Sequence, residues 1–266
     1  MSSFPARRIL VPMDLSARSK RAWAWAKRFA GPGSSFEALF VFDLAPSPSF
    51  GVPFAPIPAS GRSRAASWLR ANCPGASVRV LAGDPARAVE RRARRMDLVV
   101  MATHGRDGLG RVMLGSTTET VVRGSPIPVL TVHAPPRAVA SVLAPVNLTE
   151  YARAGLVLAA DAAAHLGAEL TVLYVDAGSA GGPNPRFFLN QLIAELPEAT
   201  RRAVKPRIVL RSGEPVAEIL RESARHGLVV LTAHRKSLLG DLVLGTTAER
   251  VLRHSRTAVL TAPSGR

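Results

Sequence analysis

Residues 102–119, ATHGRDGLGRVMLGSTTE, place glycines at 105, 108, 110 and 115 among the hydroxyl side chains of Thr103, Ser116, Thr117 and Thr118. They follow the apolar run Leu98-Val99-Val100-Met101 and lead into a helix that the sequence predicts to start at Ser116. Free backbone N–H groups, a helix start and almost no acid suit one kind of chemistry, the holding of an anion such as a phosphate. Gly105 and Gly115 would let the main chain approach that anion closely. Ser116 and Glu119 fit the S-x-x-E capping box, which predicts a helix start closed by its own side chains. A second polar turn, PMDLS at 12–16, follows the first apolar run and brings the carboxylate of Asp14. The pattern is not a P-loop, because G-x-x-x-x-G-K-[ST] is absent. Nor is it the dinucleotide G-x-G-x-x-G, which would follow the first strand.

These turns need strands to hold them. Residues 9–11 read as a strand and 17–30 as a helix with Trp23, Ala26 and Ala30 on its apolar face. FEALFVFDL is the next strand. The proline-laden stretch 44–58 cannot be regular structure and reads as a loop. A short helix over 62–72 and the strand SVRVL follow. Pro85 then opens a helix as a favoured first-turn residue. DLVVM, the helix 116–123 and IPVLTV complete five strands alternating with helices, which implies an open parallel sheet covered on both faces. In such sheets ligands bind beyond the carboxyl ends of strands where the strand order reverses. If the first and fourth strands are neighbours, Asp14 and Gly105 face one crevice.

The whole series occurs twice. LVVMATHGRDGLGRVMLGSTTETVVRGS (98–125) aligns without gaps on LVVLTAHRKSLLGDLVLGTTAERVLRHS (228–255), with 13 identities in 28 positions at an offset of 130. AGDPARAV (82–89) maps onto SGEPVAEI (212–219) at the same offset, and RILVPMDLS pairs with SVLAPVNLT at 133. A period this long, with full strand–helix alternation in each copy, is a duplicated domain, expected as 1–135 and 136–266 joined near HAPPRAVA. Prolines at the start of SPIPVLTV suit an edge strand.

The order of segments resembles the universal stress proteins, as a tandem pair covering essentially the whole chain. The matching residues are ILVPMDLS, LFVFD, AGDP and the run from Asp97 to Val132. The resemblance implies two tandem, doubly wound, parallel five-stranded sheets, Rossmann-like and of the adenine-nucleotide alpha-hydrolase kind. They would pack as an intrachain pseudo-dimer through VLTV and AVLTA, with a further homodimer left open. Nucleotide-binding members carry G-x2-G-x9-G-[ST]; here the frame is Ala102-x2-Gly105-x9-Gly115-Ser116, with alanine for the first glycine. By resemblance, Asp14 and Val41 bracket the ribose and adenine of ATP, or of ADP or AMP, with Pro12 against the base. The backbone of Ala102, His104, Gly105, Arg106 and Gly108, and of Ser116, Thr117 and Thr118, cradles the phosphates. The second copy departs further. Its frame is Thr232-x2-Arg235-x9-Gly245-Thr246, and Asn147 stands where the first copy has Asp14. Arg235 either fills the phosphate space, leaving a degenerate site, or grips a different anion bidentately.

No catalytic constellation is expected. His104 and His234 recur at one repeat position, yet a histidine in a turn needs only to bond the loop or touch a ligand. His133, His165, His226 and His254 do not cluster as metal ligands would. Asp14 is the one carboxylate placed to help a nucleotide-bound magnesium, so no protein metal site is expected, and ATP hydrolysis should be slow at most. Arg87, Arg91, Arg94 and Arg95 surround one predicted helix and read as a solvated face. The net charge of +16 falls as +11 on residues 1–136 and +5 on 137–266. It suits anionic partners, but an arginine-rich composition alongside much Ala, Gly and Pro accounts for it first, and no stacking aromatics or recognisable module supports nucleic acid. The single cysteine, Cys73, rules out an internal disulfide framework and suits a reducing compartment. No signal peptide is evident, and no apolar run approaches the roughly 18 residues of a membrane helix, so a cytoplasmic protein is expected. The reading is an adenine-nucleotide-binding stress sensor or adaptor acting on a protein partner. The alternatives are a nucleotide-free adaptor of the same fold, an ATP-using enzyme, or arginine-driven nucleic-acid binding.

Overall fold

The computed structural model describes residues 3–43, 57–103, 114–149, 152–178, 184–232 and 246–263. The first copy runs β1 (Ala6–Pro12), α1 (Lys20–Phe29), β2 (Ala30–Asp43), α2 (Ala59–Asn72), β3 (Ser77–Gly83), α3 (Pro85–Ala93), β4 (Leu98–Ala102), α4 (Ser116–Gly124) and β5 (Val129–Val132). The second runs β6 (Ser141–Pro145), α5 (Ala152–Leu166), β7 (Glu169–Asp176), α6 (Pro185–Ala194), α7 (Glu198–Val204), β8 (Arg207–Ser212), α8 (Pro215–Ser223), β9 (Leu228–Thr232), α9 (Thr246–His254) and β10 (Ala258–Ala262). Most of the predicted loop, 44–56, lies outside the described residues.

Apolar periodicity decides these elements. In α1, Ala22, Trp23, Trp25, Ala26 and Phe29 are buried, the spacing of one helix face. The helix begins at Lys20, three residues later than its pattern predicts. Residues 14–19 are instead spent on turns, in which Ser16 N–H donates to Asp14 Oδ1 at 3.0 Å and Ser19 Oγ donates to the Ser16 carbonyl at 2.8 Å. The start of α3 follows its sequence signal. Asp84 accepts from the Arg87 N–H at 3.1 Å, Pro85 occupies the first turn, and Gly83 before them sits at φ +129°, a conformation open to glycine. The second copy repeats the device with Glu214, Pro215 and Gly213 at φ +140°. Arg87, Arg91, Arg94 and Arg95 are all exposed, as a solvated face requires. Arg92 turns inward to the buried carboxylate of Glu37, which Arg79 also meets at 3.2 Å.

All ten strands form one sheet in the order β3-β2-β1-β4-β5-β10-β9-β6-β7-β8. Each half is parallel, and the halves meet edge to edge through the antiparallel pair β5–β10, so the two copies close on each other as expected. The last strand is an edge only within its own copy. Leu130 pairs with Leu260 on the pseudo-twofold axis, and both are fully buried, worth about 1.5–3 kcal/mol each in apolar burial. Thr131 Oγ1 donates to the Val259 carbonyl at 3.2 Å, and its repeat counterpart Thr261 donates to Val129 at 3.1 Å. One sheet face carries α1, α2, α5, α6 and α7 over a core that includes Phe29, Leu69, Leu156 and Leu189. The other carries α3, α4, α8 and α9 over Val89, Val121, Ile219 and Leu252.

Candidate functional site

In the first copy β1 lies between β2 and β4, pairing Ile9 with Leu98 and Leu10 with Val99. The chain leaves β1 in one direction to build β2 and β3, and the other direction holds β4 and β5, so the order reverses between β1 and β4. Asp14 stands just past the end of β1 and Ala102 ends β4, at the two lips of this crevice. Asp14 is exposed, and its Oδ1 also accepts from Ser16 Oγ at 2.6 Å. Between them Leu15 adopts φ +61°, a strained setting for a non-glycine residue and one that clusters at functional sites. Its counterpart Leu148 is not among the residues with positive φ. Asn147 keeps the local turn by accepting from Thr149 Oγ1 at 2.7 Å.

The expected capping box at the start of α4 does not form. Gly115 is the N-cap, Ser116 is the first helical residue, and no side chain caps the helix. Glu119 is drawn away by better partners, Arg123 at 2.6 Å and Arg253 of the second copy at 3.1 Å. The pseudo-twofold makes this reciprocal, with Arg123 meeting Glu249 at 3.0 Å and Arg253 meeting Glu249 at 3.0 Å. A helix start without a side-chain cap leaves its first N–H groups and its partial positive charge to the crevice, the arrangement that accepts an anion.

His104, Gly105, Arg106 and Gly108 lie outside the described residues, as do His234, Arg235 and Gly245. Both flanks of that first-copy stretch are held. Leu114 is buried, and the Thr103 N–H donates to the Val132 carbonyl at 3.0 Å while its hydroxyl meets His133 Nδ1. Burial, with the Arg21 guanidinium nearby, pushes His133 down to about 4, so the ring is neutral at pH 7. Arg21 donates to the His133 carbonyl. Sequence spacing alone did not single out Thr103, His133 or Arg21. Their one signal was that the histidine ends the fifth strand, beside the end of the fourth.

The second copy, whose site the sequence marks as degenerate, contains a cavity of about 310 Å³. Its lining includes Pro145, Asn147, Val175, Thr232, Thr246, Thr247 and Ala248. Strand register and the repeat offsets map these onto Pro12, Asp14, Val41, Ala102, Ser116, Thr117 and Thr118. Seven positions chosen in the first copy thus correspond to the wall of one half-open cavity in the second. Tyr174, in the place of Phe40, adds an aromatic wall that the motif does not include. Among the described residues no group of three histidine, cysteine or acidic side chains could hold a metal, and no helix is long and apolar enough to cross a membrane. Cys73 is buried, which pushes its thiol up to about 11 and leaves it inert.

A crystal structure of a universal stress protein from Archaeoglobus fulgidus superposes with a TM-score of 0.73 over 99% of this chain and 98% of that one, at 21% identity. A universal stress protein of Mycobacterium tuberculosis is 28% identical over 181 residues, 62% of this chain and 61% of its own length. The chain therefore spans about three-fifths of that relative. One from Thermus aquaticus is 34% identical over 134 residues, which make up 47% of this chain and 97% of that protein. The model of the universal stress protein family matches twice, over residues 5–133 and 139–263. The chain belongs to the universal stress protein family and carries its domain in two tandem copies.

Proposed function

We propose that the first copy binds one adenine nucleotide, ATP or the ADP or AMP derived from it, and that the chain serves as a cytoplasmic stress sensor or adaptor whose protein contacts depend on that ligand. The copies divide at residues 135 and 136, within the irregular stretch 133–140 between β5 and β6. The observation that carries the reading is the correspondence of Pro12, Asp14, Val41, Ala102, Ser116, Thr117 and Thr118 with the lining of the second-copy cavity. The second-copy space is apolar on the β7 side and fronted by the N-terminus of α9, and the equivalent place in the first copy, between β2 and the N-terminus of α4, would suit a base and its phosphates. Asp14 accepts hydrogen bonds from the ribose and assists any magnesium the nucleotide carries. Gly105, Arg106 and Gly108 join the phosphate cradle with His104. Among the described residues no group is placed to activate a water, which supports hydrolysis that is slow at most.

Mass spectrometry of the extract from native protein, with calorimetry on the emptied chain, tests this. One adenine nucleotide per chain is expected, lost on Gly115→Phe. Failure to bind ATP at millimolar concentration overturns the reading, and two nucleotides per chain overturn its asymmetry. The cavity favours a second reading, in which the second copy also takes a ligand. With Asn147 for a carboxylate and Arg235 in the motif, that ligand would be a different anion.

A further inference from the structure

A second cavity, of about 280 Å³, lies where the copies and their connection meet. Trp25 of α1 forms one wall and donates its indole N–H to the Ala134 carbonyl at 2.9 Å. Arg137 comes from the connection, His226 from the turn before β9, and Arg256 from the turn before β10. No carboxylate is among the lining residues. Both arginines are exposed, and neither has an ion-pair partner among the described residues. The His226 side chain is 3% exposed, and its Nδ1 meets Ser141 Oγ at 2.8 Å. Its Nε2 has no hydrogen-bond partner, and Glu222 Oε1 is 3.8 Å away. That acid is already engaged by Arg211 at 3.2 Å and Arg225 at 3.5 Å.

The repeat shows how this spot was made. The positions of His226, Gly227, Arg256 and Thr257 are Met96, Asp97, Pro126 and Ile127 in the first copy, where Asp97 is held by Arg8 at 2.8 Å. An acid, two apolar residues and a proline in one copy are thus a histidine, a glycine, an arginine and a threonine in the other. Gly227 lets the connection press close, since a Cβ there would lie 2.9 Å from Val139 Cα. We propose that this seam cavity binds a phosphoryl group, gripped by Arg137 and Arg256 with His226 behind them. Guanidinium forks suit phosphate oxygens. The space equals roughly nine waters, more than a lone phosphate fills, and so has room for a small organic part on the phosphoryl group.

The test uses the full chain without nucleotide, so it stands apart from the reading of the first copy. Inorganic phosphate and glycerol 3-phosphate are titrated by calorimetry and by thermal shift against sodium chloride of matched ionic strength. Binding by either supports the site, and the tighter of the two identifies its source as free phosphate or a small phosphomonoester. Arg137→Gln with Arg256→Gln, on exposed side chains whose removal leaves the unliganded transition in place, weakens the tighter ligand at least about tenfold. Absence of any effect beyond chloride overturns the proposal. Binding that survives the double variant but is lost in Gly115→Phe places the phosphate at α4 and overturns it as well.

Discussion

Gly155 of α5 and Thr232 at the end of β9 sit so close that a Cβ on residue 155 would lie 2.1 Å from Thr232 Oγ1. The corresponding pair in the first copy is Ala22 and Ala102, with Ala22 fully buried. The two copies have solved one packing problem in two ways, alanine on alanine and glycine under threonine. Gly155→Ala alone must overpack this contact, at about 1–3 kcal/mol. Threonine is β-branched, so turning its hydroxyl away carries the methyl with it. Against that loss, alanine in a helix interior gains about 0.5–1 kcal/mol over glycine. The single variant is therefore destabilised by about 1 kcal/mol net. In the Thr232→Ala background the obstruction is gone, and the same change stabilises by about 0.5–1 kcal/mol. Urea midpoints of the four proteins close the cycle, with an expected coupling of about 1–3 kcal/mol. If Gly155→Ala shifts the midpoint equally in both backgrounds, the contact does not limit packing and the equivalence of the two pairs fails.

Asp14→Asn reproduces the second-copy residue and should weaken adenine nucleotide at least about tenfold by calorimetry, since it removes a charged acceptor; unchanged affinity would take Asp14 out of the site. His133 ionises near 4 in the folded protein and near 6.5 when unfolded. Between those values the unfolded chain holds a proton that the folded one does not, so stability falls as pH drops from 6.5 towards 4. The loss reaches at most about 3 kcal/mol, and His133→Gln should flatten the profile followed by urea denaturation. Arg123→Ala and Arg253→Ala occupy equivalent places in the four-residue ion-pair cluster and should cost similar amounts, about 1 kcal/mol each. Their effects on denaturation midpoints should shrink in high salt and should not add, because both arginines serve Glu119 and Glu249.

The strand–helix alternation and the duplication were legible because they rest on local pattern. Val99 and Val100 can only be a buried strand, and Pro85 after Asp84 can only open a helix. The edge pairing of VLTV with AVLTA was legible in outline, for two copies with apolar last strands need something to cover those edges. What escaped the sequence depended on competition between partners far apart in the chain. Ser116 and Glu119 carry the spacing of a capping box, and nothing local says that Arg253, 134 residues on, will claim the glutamate. The histidine at 133 gave no sign that Thr103 would bond it, because strand neighbours are set by topology rather than by spacing. Asn147 and Arg235 suggest a degenerate second site, and spacing gave no sign that Pro145, Val175 and Thr246 would line a half-open cavity there, because walls are set by strand neighbours.

The antiparallel seam also fixes how the two copies can communicate. Every strand of the first copy runs opposite to every strand of the second, because each half is parallel and β5 opposes β10. The crevice beyond β1 and β4 and the cavity beyond β6 and β9 therefore open at opposite ends of the sheet, and a ligand in one cannot touch the other. Helices α4 and α9 do reach both. Their N-termini face the two sites, and their fourth residues, Glu119 and Glu249, are bound to each other's Arg253 and Arg123. A phosphate bound at the start of α4, as proposed, would pull on the lock that positions α9, so these four side chains offer a direct side-chain route between the copies beside the β5–β10 seam. Arg123→Ala with Arg253→Ala removes every ion pair of this cluster that crosses between the copies, and should then weaken any influence of nucleotide in the first copy on ligand uptake in the second while leaving each site's own walls intact. Influence that persists in the variant, followed by calorimetry of one ligand with the other saturating, would show that the sheet itself carries it.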